Sequence, residues 1–354
     1  SEDGSITCTA PYVLGNRPAD PVCSSFLIAG QQALLHTGNI GVIKKAYEGY
    51  VKWEERLRRL ATDHIVEYTA YGDWAAPVYA CVGGEVNIDA TLSACTPGSF
   101  MSTGFYYYNA VLLKEFAKLL RRNGEVDYYT KLAGQIREAM LKKWWNDKEA
   151  VMATGSQGCQ SFALWLGIIP EERRAAAAKK LHDDLVKSNY RFTTGNICTR
   201  YMLEMLTEYG YVEDAWTLMT REEYPSIGYM LQNEATTIWE RFELKKENGM
   251  NSHNHPMYGA VGYWFYAYLA GIKPTEKGFS KMVIKPFFPK KLLSVNAKIE
   301  TVRGDVIVRW VRRYGKVCLY VTLPFSTEAE IVFAGRSYLA GSGFHRYEEE
   351  EDRL

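Results

Sequence analysis

The sequence predicts a mainly helical protein: an (α/α)6 toroid, incomplete at its N-terminal side, followed by a small antiparallel β-sandwich. Three observations carry this reading. Helix-length segments separated by Gly, Pro, Asn or Asp run from about residue 21 to residue 271. Within them, apolar segments such as residues 162–166 alternate with amphipathic ones such as residues 175–185. That alternation suits inner helices buried on both flanks and outer helices buried on one. After Pro274 the composition changes to short β-rich runs bounded by turn residues.

Taken in order, residues 27–35 and 41–60 form a first helical pair, joined at Thr37-Gly38-Asn39. Residues 103–120 and 127–145 form a second, joined at Asn123-Gly124. Segments 157–166, 171–187, 196–209, 211–220 and 257–269 continue the series. Roughly nine helices result where about twelve would close six hairpins, so the ring is expected to stay open. An open arc exposes an apolar stripe, which favours self-association through the barrel helices. Strands are expected at 281–284, 294–302, 305–312, 316–323 and 328–333, with Val306, Val308 and Trp310 on one face and Ile307, Arg309 and Val311 on the other. The division of the chain is placed at 274, giving a partial barrel over 1–274 and the sandwich over 275–354.

Charge excludes some functions. Forty-two basic residues oppose 41 acidic ones without a long basic block, so nucleic acid is not an expected partner. No apolar stretch approaches the length of a membrane span, and the first residues lack a basic and apolar leader, which favours the cytoplasm. The acidic run from Glu348 to Asp352 reads as a solvated, mobile tail. Seven scattered cysteines without CxxC spacing indicate neither a zinc site nor a complete disulfide framework, and most are expected to be buried thiols. The unusual quantity is 14% aromatic residues, with 25 Tyr and 9 Trp. Such rings stack on the C–H faces of sugars and also fill cores.

Two clusters could carry chemistry. The segment from Asn233 to Phe242, with Asn251-Ser252-His253-Asn254-His255-Pro256 after it, gathers Glu234, Glu240, Trp239, Arg241 and two His. A carboxylate beside indole and imidazole suits general acid/base work on a sugar. Equally, Glu240 could pair with Arg241 or cap a helix. In Tyr71-Gly72-Asp73-Trp74 the glycine allows a tight turn that offers Asp73 as a hydroxyl acceptor beside Trp74 as a stacking platform. The alternative is an Asp helix cap with a core Trp. Gly155-Ser156-Gln157-Gly158 lacks the spacing of a nucleotide loop, His36, His64, His182 and His345 are dispersed, and no HExxH or Cys/His set indicates a metal. No cofactor is expected, and calcium held by loop oxygens stays open.

These blocks resemble the bacterial α-L-rhamnosidases of glycoside hydrolase family 78. The resemblance rests on Ala235-Thr236-Thr237-Ile238-Trp239-Glu240-Arg241, Met250-Asn251-Ser252, Asn254-His255, Gly259-Ala260-Val261-Gly262 and Tyr71-Gly72-Asp73-Trp74. It extends through Phe105-Tyr106-Tyr107-Tyr108, Thr193-Thr194-Gly195 and the strand-rich end. It implies a six-hairpin barrel that hydrolyses terminal α-L-rhamnosides, in rhamnose-containing oligosaccharides or glycosides, with inversion. By motif position Glu240 would be the catalytic base, Trp74 a wall stacking on the sugar and His255 a hydroxyl ligand. Asp73, Trp239 and Asn254 complete the expected substrate-binding set, Asp73 as a site-shaping residue. The chain departs from the pattern where the family carries its general acid, in an upstream Asp-Cys-Pro motif that is absent from these 354 residues. Val22-Cys23-Ser24 also stands where many relatives have an aromatic residue followed by Gly-Asp. Two rival readings follow, a sugar-binding fragment without turnover and another α/α-barrel carbohydrate enzyme. Under the first reading Trp74, Glu240 and His255 should converge on one cleft.

Overall fold

The computed structural model describes residues 3–8, 19–246 and 252–354. Its helices are α1 (Ser25–Thr37), α2 (Ile40–Leu60), α3 (Gly98–Leu119), α4 (Asn123–Trp144), α5 (Gln157–Trp165), α6 (Glu171–Lys187), α7 (Cys198–Glu208), α8 (Val212–Thr220) and α9 (Ile227–Gln232). A helical stretch of mixed pitch follows over 258–269. The chain divides into two compact units, one of Ser1–Ile28 with Ala46–Ala260, the other of Ala29–Lys45 with Val261–Leu354. Both α1 and α2 therefore cross the division. No helix among the described residues is long and apolar enough to cross a membrane.

In the first unit the expected alternation of helices is present. Every residue of α5 from Gln157 to Leu164 is buried, whereas α4 buries only the stripe Tyr129, Leu132, Ala133, Ile136 and Met140. The three-and-four spacing of that stripe marks an outer helix. Accordingly α3 packs on α4, α5 on both α6 and α7, and α7 on α8. The buried polar side chains of α5 are paired. Gln160 of α5 accepts the Met152 N–H at 2.6 Å and donates to the Ala150 and Ala177 carbonyls at 3.0 Å each, as a buried amide must. Two short hairpins, β1 (Ala61–Thr62) with β2 (Ile65–Val66) and β3 (Trp145–Asn146) with β4 (Val151–Met152), join the helices.

The second unit holds β5 (Ile272–Pro274), β6 (Lys281–Ile284), β7 (Ser294–Thr301), β8 (Gly304–Arg313), β9 (Lys316–Leu323), β10 (Glu328–Phe333), β11 (Arg336–Ala340) and β12 (Gly343–Glu350). One sheet has the order β11-β10-β6-β5 and the other β12-β9-β8-β7. Val306, Val308, Trp310, Leu319, Val321 and Ile331 fill the core, and the Trp310 indole donates to the Leu269 carbonyl at 2.8 Å. The sandwich differs from the expected one in that β6 and β10 run parallel.

Two further expectations are corrected. The acidic run is not a free tail, because Glu348 and its neighbours form the end of β12, where Glu348 accepts Lys316 at 3.0 Å and Arg346 at 2.7 Å. Lys316 across the sheet and Arg346 on the same strand offset the charge of Glu348, which would otherwise keep the segment solvated. Of the seven cysteines, all free, only Cys81, Cys159 and Cys198 are buried.

Candidate active site

Three segments of the first unit meet around the residues singled out in the sequence. The first is the loop carrying Trp74. Asp20, immediately before Pro21, caps the turn Pro21–Cys23 by accepting the Val22 N–H at 2.9 Å. Its other oxygen takes the N–H groups of Ala70 and Tyr71 and the Thr69 hydroxyl. One fully buried carboxylate thus pins residues 69–71. The turn continues through Gly72, whose φ of +56° is the left-handed conformation glycine adopts freely.

Asp73 and Trp74 then part company. Asp73 is fully buried, and its oxygens accept the N–H groups of Gly195 at 2.7 Å and Cys198 at 2.9 Å. Here the helix-cap alternative left open by the sequence applies: Asp73 closes the N-terminus of α7 across the fold. Burial raises its pKa to about 6, against the lowering effect of those N–H donors. Trp74 stays half-buried, with its ring edge-on to Tyr71 at 5.1 Å and its carbonyl accepting the Asn196 N–H at 2.8 Å. Gly195 is required by this approach, since a Cβ there would lie 2.6 Å from the Asp73 carbonyl carbon.

The second and third segments, 236–243 and 252–258, are joined by two backbone hydrogen bonds. Glu240 N–H donates to the Ser252 carbonyl at 2.8 Å and His255 N–H to the Ile238 carbonyl at 2.9 Å. Trp239, buried, stacks on His253 at 4.8 Å. The question of Arg241 resolves away from Glu240. Arg241 is fully buried and bonds Glu243 at 2.8 Å, while Glu243 also accepts the Val78 N–H at 2.7 Å and the Tyr224 hydroxyl. Glu240 is left half-buried, and among the described residues its carboxylate holds only the Ser252 N–H, at 3.1 Å. His255 is half-buried with Nδ1 toward the Met257 N–H at 3.4 Å, and the Asn254 side chain is exposed. Met250 and Asn251 lie outside the described residues.

Hydrogen bonds tie the segments to one another. Tyr258, three residues after His255, donates to the Ala75 carbonyl at 2.9 Å, directly behind Trp74. Ala75 N–H donates to the Thr91 carbonyl at 2.9 Å, and Arg241 holds the nearby carbonyls of Ile88 at 2.8 Å and Ala90 at 3.4 Å. Neighbours of Trp74, Glu240 and His255 are thus joined through one bonded frame. Asp20, Glu243 and Tyr258 escaped the sequence reading, and Gly195 entered it only within the block Thr193-Thr194-Gly195, without this role. Only Asp20 carries a local signal, an Asp before Pro at a helix start. Among the described residues no group of three or more His, Cys, Asp or Glu could hold a metal ion.

Comparison with known proteins gives this frame its family. The bacterial alpha-L-rhamnosidase six-hairpin glycosidase domain matches residues 1–269, and the bacterial alpha-L-rhamnosidase C-terminal domain matches residues 271–347. An alpha-L-rhamnosidase of Formosa agariphila is 28% identical over 340 residues, covering 93% of this chain and 36% of its own length. The chain thus spans about a third of the length of such curated relatives. The solved alpha-L-rhamnosidase of Dictyoglumus thermophilum superposes with a TM-score of 0.91 at 29% identity, covering 99% of this chain and 42% of that one. A Streptomyces avermitilis alpha-L-rhamnosidase in complex with L-rhamnose gives 0.85 at 26% identity, covering 99% and 35%. Spanned almost from end to end by these two domains, the chain belongs to the bacterial alpha-L-rhamnosidase family of glycoside hydrolases.

Proposed function

We propose that this chain supplies the catalytic base and the sugar-binding wall of an inverting hydrolase of terminal α-L-rhamnosides. The observation that carries the reading is the pairing of Arg241 with Glu243. It leaves Glu240 as a half-buried carboxylate, held by one backbone N–H and free of any salt bridge among the described residues. Such a group can accept the proton of a water attacking the anomeric carbon. Inversion needs room for that water, with the two carboxyl groups roughly 6.5–9.5 Å apart. The acid that protonates the leaving oxygen is assigned outside these 354 residues, because the family's acidic motif is not among them.

Trp74 is the face against which the pyranose C–H groups pack. His255, with Nδ1 turned toward the Met257 N–H, offers its other ring nitrogen to a sugar hydroxyl. Asn254 offers a second polar contact. Trp239 and Asp73, both buried, act from behind: one stacks on His253, and the other fixes the loop that carries Trp74. The Streptomyces avermitilis enzyme crystallised with L-rhamnose makes that sugar the first ligand to try.

Since protonating the leaving group contributes roughly 10²–10⁴ in rate, the 354 residues alone should bind rhamnose with little turnover. Titration of L-rhamnose against the wild type, Trp74→Ala and His255→Ala tests the site. Both substitutions should weaken binding. Undiminished binding in both would remove the proposed pocket. A panel of aryl glycosides on the full-length protein separates rhamnosidase activity from that of another α/α-barrel enzyme.

A further inference from the structure

The outer face of the β7, β8, β9 and β12 sheet carries a second concave surface, distant in chemistry from the first. Because Val306, Val308, Trp310, Leu319 and Val321 point into the sandwich, the residues between them point out. Register aligns these outward residues in rows. Asn296 lies opposite Arg309, Arg309 opposite Tyr320, Ile307 opposite Thr322 and Thr322 opposite Phe344. The same six residues line an open trough of about 390 Å³.

Two features of the trough point to a ligand. Tyr320 and Phe344 lie with ring centroids 6.2 Å apart and planes inclined by 23°, an aromatic platform on which Phe344 is 66% exposed. Arg309 stands exposed beside it, and among the described residues its guanidinium makes no hydrogen bond or ion pair. Three cations on the same sheet are engaged: Lys298 bonds Glu300 and Asp305, while Arg346 and Lys316 both bond Glu348. No lining residue is acidic. The trough therefore presents one uncommitted guanidinium fork, a flat apolar surface, an amide from Asn296 and a hydroxyl from Thr322.

We infer that this face binds an acidic pyranose, such as a uronic acid residue within a polysaccharide, at a site independent of Glu240. The carboxylate of the sugar meets the Arg309 fork in a two-point contact. Its ring lies on Tyr320 and Phe344 through C–H groups, and Asn296 and Thr322 take ring hydroxyls. Inorganic polyphosphate fits less well, because it has no ring face to lie on Tyr320 and Phe344.

Affinity electrophoresis of the 354-residue chain tests this, in gels containing polygalacturonate, neutral dextran or polyglutamate. Retardation is expected in polygalacturonate alone. Arg309→Gln and Tyr320→Ala should each weaken it by about tenfold or more, as loss of a charged two-point contact or a stacking face does. Should Tyr320→Ala fail to fold by its thermal transition, Phe344→Ser replaces it, since that ring is already exposed. No retardation in polygalacturonate, equal retardation in polyglutamate, or retardation that survives Arg309→Gln would each overturn the assignment.

Discussion

Replacing Asp73 with alanine tests the frame behind Trp74. The wild-type carboxylate accepts the Gly195 and Cys198 N–H groups at 2.7 and 2.9 Å in a fully buried position. Alanine leaves both donors without an acceptor at the N-terminus of α7. Each unsatisfied donor costs about 1–3 kcal/mol, a gross loss of about 2–6 kcal/mol. Against this stands relief from burying a charge, visible in the pKa raised to about 6. A net loss of about 2–3 kcal/mol is expected at pH 7, a sizeable part of the stability of an ordinary domain. Urea denaturation gives the magnitude. Hydrogen exchange at Gly195 and Cys198 gives the location, since both amides should lose protection while β8 and β9 keep theirs. A loss under about 1 kcal/mol with unchanged exchange at α7 would refute the capping role.

The same residue sets a pH dependence. Folding raises the Asp73 pKa from 3.8 to about 6, so the folded chain holds that proton more tightly than the unfolded one. Its contribution to stability is therefore largest below about pH 4 and is lost as the pH rises through 6, by up to about 3 kcal/mol. The stability gap between wild type and Asp73→Ala should narrow from pH 4 to 7, and a widening gap would contradict the dominance of burial. Gly195→Ala forces a Cβ onto the backbone of Asp73 and Trp74, and should cost about 1–3 kcal/mol and displace Trp74, read as weakened L-rhamnose binding. Wild-type binding and melting in that variant would show that the loop can yield. Arg241→Leu leaves Glu243 buried without its cation and the Ile88 and Ala90 carbonyls without their donor. A loss of about 3–5 kcal/mol is expected by chemical denaturation, and less than about 1 kcal/mol would show the pair to be dispensable.

The helical pairs were legible because amphipathic period is a local property, and α1 to α8 fall within a few residues of the expected segments. Helix α9, only six residues long, is too short to display that period. Strand β5 ends on Pro274, where the sequence shows a boundary rather than a strand. Strand β12 was hidden by its own charges, because Glu348 pairs with residues more than two dozen positions away on β9. The site divides in the same manner. Motif order pointed to Glu240, Trp74 and His255, but spacing could not say that Arg241 turns to Glu243, nor that Asp73 reaches α7 across 125 residues. Bonds between distant segments leave no periodic trace in the chain.

The central claim is that Glu240 is the base. Glu240→Gln keeps the shape of the side chain and an acceptor for the Ser252 N–H, now at 3.1 Å, but cannot take a proton from water. In the full-length protein, its turnover of an aryl α-L-rhamnoside should fall by about 10²–10⁴ while the dissociation constant for L-rhamnose changes little. Turnover above about a tenth of the wild-type value would contradict the account, and Glu234, exposed six residues earlier, would become the carboxylate to substitute.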